Sequence, residues 1–272
     1  MTFDLGPALL FCPADRPERY GKALERSDAV ILDLEDAVTT AARPAARQSL
    51  VEVAAELDPA RVIVRVNPVE TADFAADLDA LANTPFRRIM IAKVESEVGV
   101  GQLGPSYEVV ALIETAKGVS RADAVAALPN VSAVMWGAED LVASLGGTSS
   151  RRADGSYRDL ARFARAAVLV AAGAHGKAAI DAVHLDIEDV SGLADEAEDA
   201  VASGFAATAC IHPSQVDVIR RAYRPDPSAV EWARAVLTAA ETERGVFSYD
   251  GRMVDEVVLR HARTLVARAE RS

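Results

Sequence analysis

Short apolar runs rich in β-branched residues alternate along most of the chain with longer amphipathic runs of Ala, Arg and Glu. Eight apolar runs read as strands: residues 8–13, 29–34, 61–66, 88–94, 107–113, 131–136, 178–185 and 206–211. Helical periodicity fills the intervals at 17–26, 43–57, 72–82, 119–128, 159–172, 192–203 and 215–223. The strand runs are apolar throughout, the pattern of strands buried on both faces, and a helix between consecutive strands is what parallel pairing requires. Eight such units within roughly 250 residues predict a closed (β/α)8 TIM barrel of the α/β class. No glycine-rich phosphate loop follows the first strand, which weighs against an open doubly wound sheet. The barrel is expected over residues 1–224. Residues 225–272 then form a C-terminal helical extension with a helix at 228–243, a turn at Asp250-Gly251 and a last helix from about Asp255. Such an appendage packs on its own barrel or on a neighbouring subunit.

Composition bounds the partner. Half of the 272 residues are hydrophobic, enough for one large core and incompatible with a disordered chain. The balance of 29 Lys+Arg against 41 Asp+Glu leaves −12 formal charges, with no basic block longer than a pair. That argues against nucleic acid and membrane surfaces, both of which are polyanions. No stretch approaches the ~18 consecutive apolar residues of a membrane span. The opening Met-Thr-Phe-Asp-Leu-Gly-Pro lacks the cationic and long apolar regions of an export signal, so a cytoplasmic location is expected. Cys12 and Cys210 have no metal-binding or framework spacing and read as small buried apolar side chains, or less simply as a facing pair.

In a barrel of this kind chemistry collects at the C-terminal ends of the strands, so a polar residue just past an apolar run outweighs one on a helix face. This filter selects Asp15 and Arg16, then Asp33, Glu35 and Asp36, then Arg65 and Asn67, and Lys93 and Glu95 after strand four. It continues with Glu114, Glu139 and Asp140, Asp181 and Asp186, and His212. Glu114 and Asp140 end adjacent strands. Two hard oxygen ligands with open positions suit Mg²⁺, although acidic residues at these points also serve as helix caps. Arg65 should face the barrel mouth, where a guanidinium either clamps a carboxylate bidentately or pairs structurally with Glu35 or Asp36. Arg16, Arg19 and Lys22 gather at the start of the first helix, as a phosphate-attracting end or as an ordinary solvated face. Met135 and Trp136 read as packing residues, and Asp255 as an N-cap.

Several segments together resemble a known family: Leu-Phe-Cys-Pro-Ala-Asp-Arg-Pro-Glu-Arg (10–19), Ala-Val-Ile-Leu-Asp-Leu-Glu-Asp-Ala-Val (29–38), Arg-Val-Asn (65–67), Lys-Val-Glu (93–95), Leu-Ile-Glu-Thr (112–115), Trp-Gly-Ala-Glu-Asp-Leu (136–141) and Ile-His-Pro-Ser-Gln-Val (211–216). They resemble the citrate lyase β-subunit-like (CitE-like) and malyl-CoA lyase group of the HpcH/HpaI aldolase superfamily. The resemblance implies a barrel of the phosphoenolpyruvate/pyruvate type. It also implies a Mg²⁺-dependent carbon–carbon lyase that cleaves a 3-hydroxyacyl-CoA, such as malyl-, citramalyl-, citryl- or 3-hydroxy-3-methylglutaryl-CoA, to acetyl-CoA and an oxo acid. By the same resemblance Glu114 and Asp140 are metal ligands, and Arg65 holds the acid end of the substrate with Glu35 and Asp36 in support. Arg16, Arg19 and Lys22 then contact coenzyme A, and Asp255 reaches a neighbouring subunit's site as acid/base within a homo-oligomer, a trimer or a hexamer.

The group also admits a β-subunit acting on an acyl-carrier thioester, or the same site used as a synthase or thioesterase. Intact Glu114, Asp140, Arg65 and Asp255 count against a non-catalytic binding paralogue. Lys93 and Lys177 are Schiff-base candidates on composition alone, but the motifs are those of the metal-dependent group. The run Gly204-Phe205-Ala206-Ala207-Thr208-Ala209-Cys210 lacks the lysine that many relatives carry shortly before Ile-His-Pro, a departure that bears on the substrate more than on the chemistry.

Overall fold

A computed structural model of the chain, which describes residues 3–243 and 245–270, contains the closed barrel. Its strands are β1 (Ala8–Pro13), β2 (Ala29–Asp33), β3 (Val62–Val66), β4 (Arg88–Ile91), β5 (Glu108–Ile113), β6 (Val131–Trp136), β7 (Ala178–Asp181) and β8 (Ala207–Cys210). All pair in parallel in chain order, and β8 closes on β1. The intervening helices are α1 (Tyr20–Arg26), α2 (Arg43–Val53), α3 (Ala72–Leu81), α4 (Glu97–Gln102), α5 (Ala116–Ala126), α6 (Ala138–Ser144), α7 (Asp159–Ala174), α8 (Val190–Ser203) and α9 (Pro213–Tyr223). The sequence pattern does not announce the short helices α4 and α6, of six and seven residues. Among the described residues no helix is long and apolar enough to cross a membrane.

Alternate side chains of each strand point inward, and the interior is filled by residues such as Ile31, Ile63, Leu112, Met135 and Ile180. One further inward step of two residues carries β2 to Asp33, β3 to Arg65 and β5 to Glu114, so charged side chains succeed apolar ones where the barrel opens. Register sets Asp33 directly opposite Arg65. Two strands stop earlier than their apolar runs. β4 ends at Ile91, before a left-handed turn at Lys93, and β7 ends at Asp181, whose carboxylate is taken up by Arg165 and the Trp136 indole. Cys12 and Cys210 are both buried free thiols.

Contacts divide the chain between Ile219 and Arg220, within α9. In the second unit α10 (Pro227–Ala240) and α11 (Glu256–Ala269) flank an antiparallel hairpin, β9 (Phe247–Tyr249) and β10 (Arg252–Val254). The extension is therefore not wholly helical as expected. Asp250 and Gly251 both adopt positive φ, 49° and 73°, which is the turn geometry that suits a two-residue hairpin loop. Val236, Val254 and Leu259 form the core of this unit. Residues 1–2, 244 and 271–272 of the expected spans lie outside the described residues.

Candidate active site

The barrel mouth holds a cavity of about 260 Å³. Its lining includes the polar side chains of Asp33, Arg65, Glu114 and Asp140 and the apolar ones of Phe11, Leu112 and Met135. Arg65 is only 9% exposed. Its Nε donates to Asp33 Oδ1 at 2.7 Å and its Nη2 to Asp33 Oδ2 at 2.6 Å, while Nη1 lies 3.4 Å from Glu35 Oε2. The guanidinium also sits over the Phe11 ring, 4.9 Å from its centroid. Burial disfavours the charge on Arg65, but the fork to Asp33 outweighs it and raises the pKa above the ordinary arginine value. Asp33 is itself fixed, because its carboxylate accepts the backbone N–H groups of Glu35 at 2.9 Å and Ala37 at 3.0 Å. One aspartate thus shapes the loop after β2 and orients the arginine of β3.

Glu114 is buried, and its Oε1 accepts the Lys93 backbone N–H at 3.1 Å. Burial, and then the charge of Asp140, push its pKa up to about 8. The Ile113-Glu114-Thr115 motif has a local logic: Ile113 is the last residue of β5, Glu114 turns into the mouth, and Thr115 caps α5 by accepting the Gly118 N–H at 3.0 Å. The following strand supplies Gly137, then α6 with Asp140 in its first turn. A Cβ at Gly137 would stand 2.7 Å from Glu114 Oε2 and 2.8 Å from Glu114 Cβ, so only glycine leaves room for that carboxylate. Its neighbour Glu139 accepts from Ser150 Oγ at 2.5 Å.

Lys93 links the remaining acids. Its Nζ donates to Glu35 Oε1 at 2.5 Å and Asp36 Oδ2 at 3.0 Å, and lies 3.3 Å from Asp140 Oδ1. Burial raises the pKa of Glu35, against the charges of Arg65 and Lys93. For Asp36 burial acts in the same direction, but the hydrogen bond and charge of Lys93 prevail and hold its carboxyl below the usual range.

The donor set fits a hard divalent cation. Glu114 and Asp140 are oxygen donors whose mutual repulsion a cation would relieve, and the Gly137 clearance keeps Glu114 in place. Among the described residues no group of three or more His, Cys, Asp and Glu converges as a metal cage. Two protein carboxylates, with water and substrate oxygens completing the shell, is a habit of Mg²⁺ rather than of Zn²⁺.

Residues 8–213 match the HpcH/HpaI aldolase/citrate lyase family. The chain belongs to that family. It is 55% identical over 264 residues to a citrate lyase subunit beta-like protein of Mycobacterium tuberculosis, covering 97% of this chain and 96% of the relative. It is 33% identical over 273 residues to a (3S)-malyl-CoA thioesterase of Cereibacter sphaeroides, covering 97% and 94%. The crystal structure of CitE from M. tuberculosis in complex with magnesium, acetoacetate and coenzyme A superposes with a TM-score of 0.91 at 55% identity, covering 98% of each chain.

This member of the HpcH/HpaI family brings Arg65, Glu35, Asp36, Glu114 and Asp140 to one mouth. Glu35 reaches Arg65, but Asp36 lies with Lys93, and the principal support of Arg65 is Asp33. Strand parity is the signal for Asp33, which follows the interior residue Ile31 by two. Lys93 is held charged by three carboxylates, whereas an imine-forming lysine needs a neutral amine. Lys177 is spent at the other end of the barrel, donating to the carbonyls of Leu128 at 3.0 Å and Val131 at 2.5 Å. Arg16 and Arg19 are solvent-exposed beside their sequence neighbours Asp15 and Glu18, and Lys22 is exposed on α1. Asp255 caps α11, accepting the Val258 N–H at 3.0 Å.

Proposed function

We propose that the chain is a Mg²⁺-dependent carbon–carbon lyase for a 3-hydroxyacyl-CoA thioester bearing a second acid group, which it splits into acetyl-CoA and an oxo acid. The observation that carries this reading is the convergence of Glu114, Asp140 and the fixed guanidinium of Arg65 on one cavity. Mg²⁺, when held by Glu114 and Asp140, supplies Lewis acidity at the oxygen where negative charge develops. Arg65 receives the carboxylate of the oxo-acid half, its fork aimed by Asp33 and Glu35. Phe11, Leu112 and Met135 add apolar surface to the cavity lining, which disfavours water there. In cleavage a base takes the hydroxyl proton, the C=O of the oxo acid forms as the C–C bonding pair leaves as the acetyl-thioester enolate, and a proton is returned to the enolate carbon. We assign that last transfer to Asp255 of a neighbouring subunit in a trimer or hexamer, and the coenzyme A phosphates to Arg16, Arg19 and Lys22.

Similarity to a thioesterase favours one second reading, in which water attacks the thioester carbonyl and free coenzyme A leaves with the intact hydroxy acid. A single assay separates the two: purified chain with malyl-, citramalyl-, citryl- or 3-hydroxy-3-methylglutaryl-CoA, with and without Mg²⁺, and product identification. Acetyl-CoA with an oxo acid supports the lyase, and free coenzyme A with an uncleaved acid replaces it by the thioesterase. No turnover of any of the four by Mg²⁺-bound protein removes the stand-alone lyase. Mixing Asp255→Ala chains with Arg65→Ala chains tests the shared site. Recovered activity is expected, and none despite subunit exchange excludes Asp255 from it.

A further inference from the structure

Lys93 reaches both carboxylates expected to hold the metal, and it does so through two different groups. Its backbone N–H donates to Glu114 Oε1 at 3.1 Å, and its ammonium lies 3.3 Å from Asp140 Oδ1. The same ammonium binds Glu35 and Asp36, so four acids that follow three different strands meet at one residue. The backbone arrangement is imposed from both sides. Ala92 N–H donates to the Val66 carbonyl of β3 at 3.2 Å and Val94 N–H to the Leu112 carbonyl of β5 at 3.0 Å. Between these ties Lys93 takes a φ of 51°, in the left-handed region that glycine enters freely and lysine does not. If turning an N–H onto Glu114 were the whole task, glycine would perform it with less strain. Keeping a lysine there points to the ammonium.

We propose that Lys93 is a positioning residue of the metal site whose ammonium serves as a resident cation. This rests on the metal-dependent reading given above. Glu35 is 5% exposed at its side chain and anchors the lysine, whereas Asp140 is 38% exposed and has room to turn. The ammonium therefore keeps Asp140 drawn toward Glu114 in the metal-free protein and yields it when a divalent cation arrives. A positive charge that shares a ligand with an incoming cation also repels that cation. Lys93 thus keeps the site assembled and lowers its affinity for metal.

The test is a calorimetric titration of the whole protein with Mg²⁺, without substrate, on wild type, Lys93→Met, Lys93→Gly and Lys93→Arg. Lys93→Gly retains the N–H that holds Glu114 and relieves the backbone, so it carries the test if Lys93→Met folds poorly. Deleting the ammonium should tighten Mg²⁺ binding about tenfold in both neutral variants, and the arginine variant should stay within roughly twofold of wild type. Thermal midpoints supply a second readout: without Mg²⁺ the Met variant should melt below wild type, and Mg²⁺ should raise its midpoint by more. Unchanged or weaker binding by folded Lys93→Gly overturns the inference while leaving the metal site standing. Failure of wild type to bind Mg²⁺ removes the metal-dependent reading, and this inference with it.

Discussion

Two arginines in the barrel unit, Arg65 buried and Arg165 half-buried, grip buried aspartates in the same way but differ in what else surrounds them. Arg65 forks onto Asp33 across neighbouring strands, and Arg165 of α7 forks onto Asp181 of β7, with Nη2 to Oδ2 at 2.8 Å. Each guanidinium also lies over a phenylalanine ring, Phe11 at 4.9 Å and Phe205 at 4.7 Å. What differs is the third neighbour. Arg165 spends its remaining reach on Asp199, 2.5 Å away, and is used up in joining helices to the sheet. Arg65 has Glu35 at a looser 3.4 Å and a cavity in front. An Arg–Asp fork is therefore no mark of function by itself; what sets Arg65 apart is the cavity on its open side.

The largest effect should come from Arg65→Met, a loss on the order of a thousandfold in kcat/KM for the thioester, since a fixed charge in a dry site is worth far more than one in water. Circular dichroism would verify the fold, and turnover near wild type would remove Arg65 from substrate binding. Arg165→Met should show the converse, a stability loss of about 3 kcal/mol from the stranded Asp181, read in urea, with kcat of the folded fraction unchanged. Equal damage to turnover by both variants would erase the distinction.

Next comes a pH effect confined to the mouth. The folded pKa of Glu114, about 8, lies above its ordinary 4.5. In metal-free protein the unionised carboxyl is thus tolerated below pH 4.5, and its contribution to stability is lost as pH rises through about 8. The thermal midpoint of the metal-free protein should fall over that window, and Glu114→Gln should flatten the fall. The same slope in Glu114→Gln would assign it to another group. The smallest effect belongs to Asp199→Ala: its side chain is 63% exposed, and loss of that arm of the Arg165 pair should cost below about 1 kcal/mol in the same urea assay.

The barrel is legible in the sequence because its strands are buried on both faces and their apolar runs are unbroken. The ends of β4 and β7 are less so, because Val94, Ala182 and Val183 continue the apolar run after the ladder has stopped. Arg65 and Glu114 stand out as charges one inward step beyond Ile63 and Leu112, and Asp33 obeys the same rule beyond Ile31. Its importance is hidden only because the adjacent Glu35 and Asp36 offer equally plausible partners. The role of Lys93 is not legible at all. It depends on a left-handed φ that no feature of a lysine announces, fixed by backbone bonds to two other strands. The capping by Asp255 is readable from its place before a helix.

Gly137 offers a way to disarm the site without altering a single charge. Its backbone, at φ −127° and ψ 127°, is ordinary extended chain that any residue adopts, so what excludes a side chain is space alone. One methyl group there would displace Glu114 and leave Arg65, Asp33, Lys93 and Asp140 chemically intact. If the proposed lyase reading holds, a protein carrying that alanine would be a reagent for catching the uncleaved thioester, because the guanidinium of Arg65 would still face the cavity.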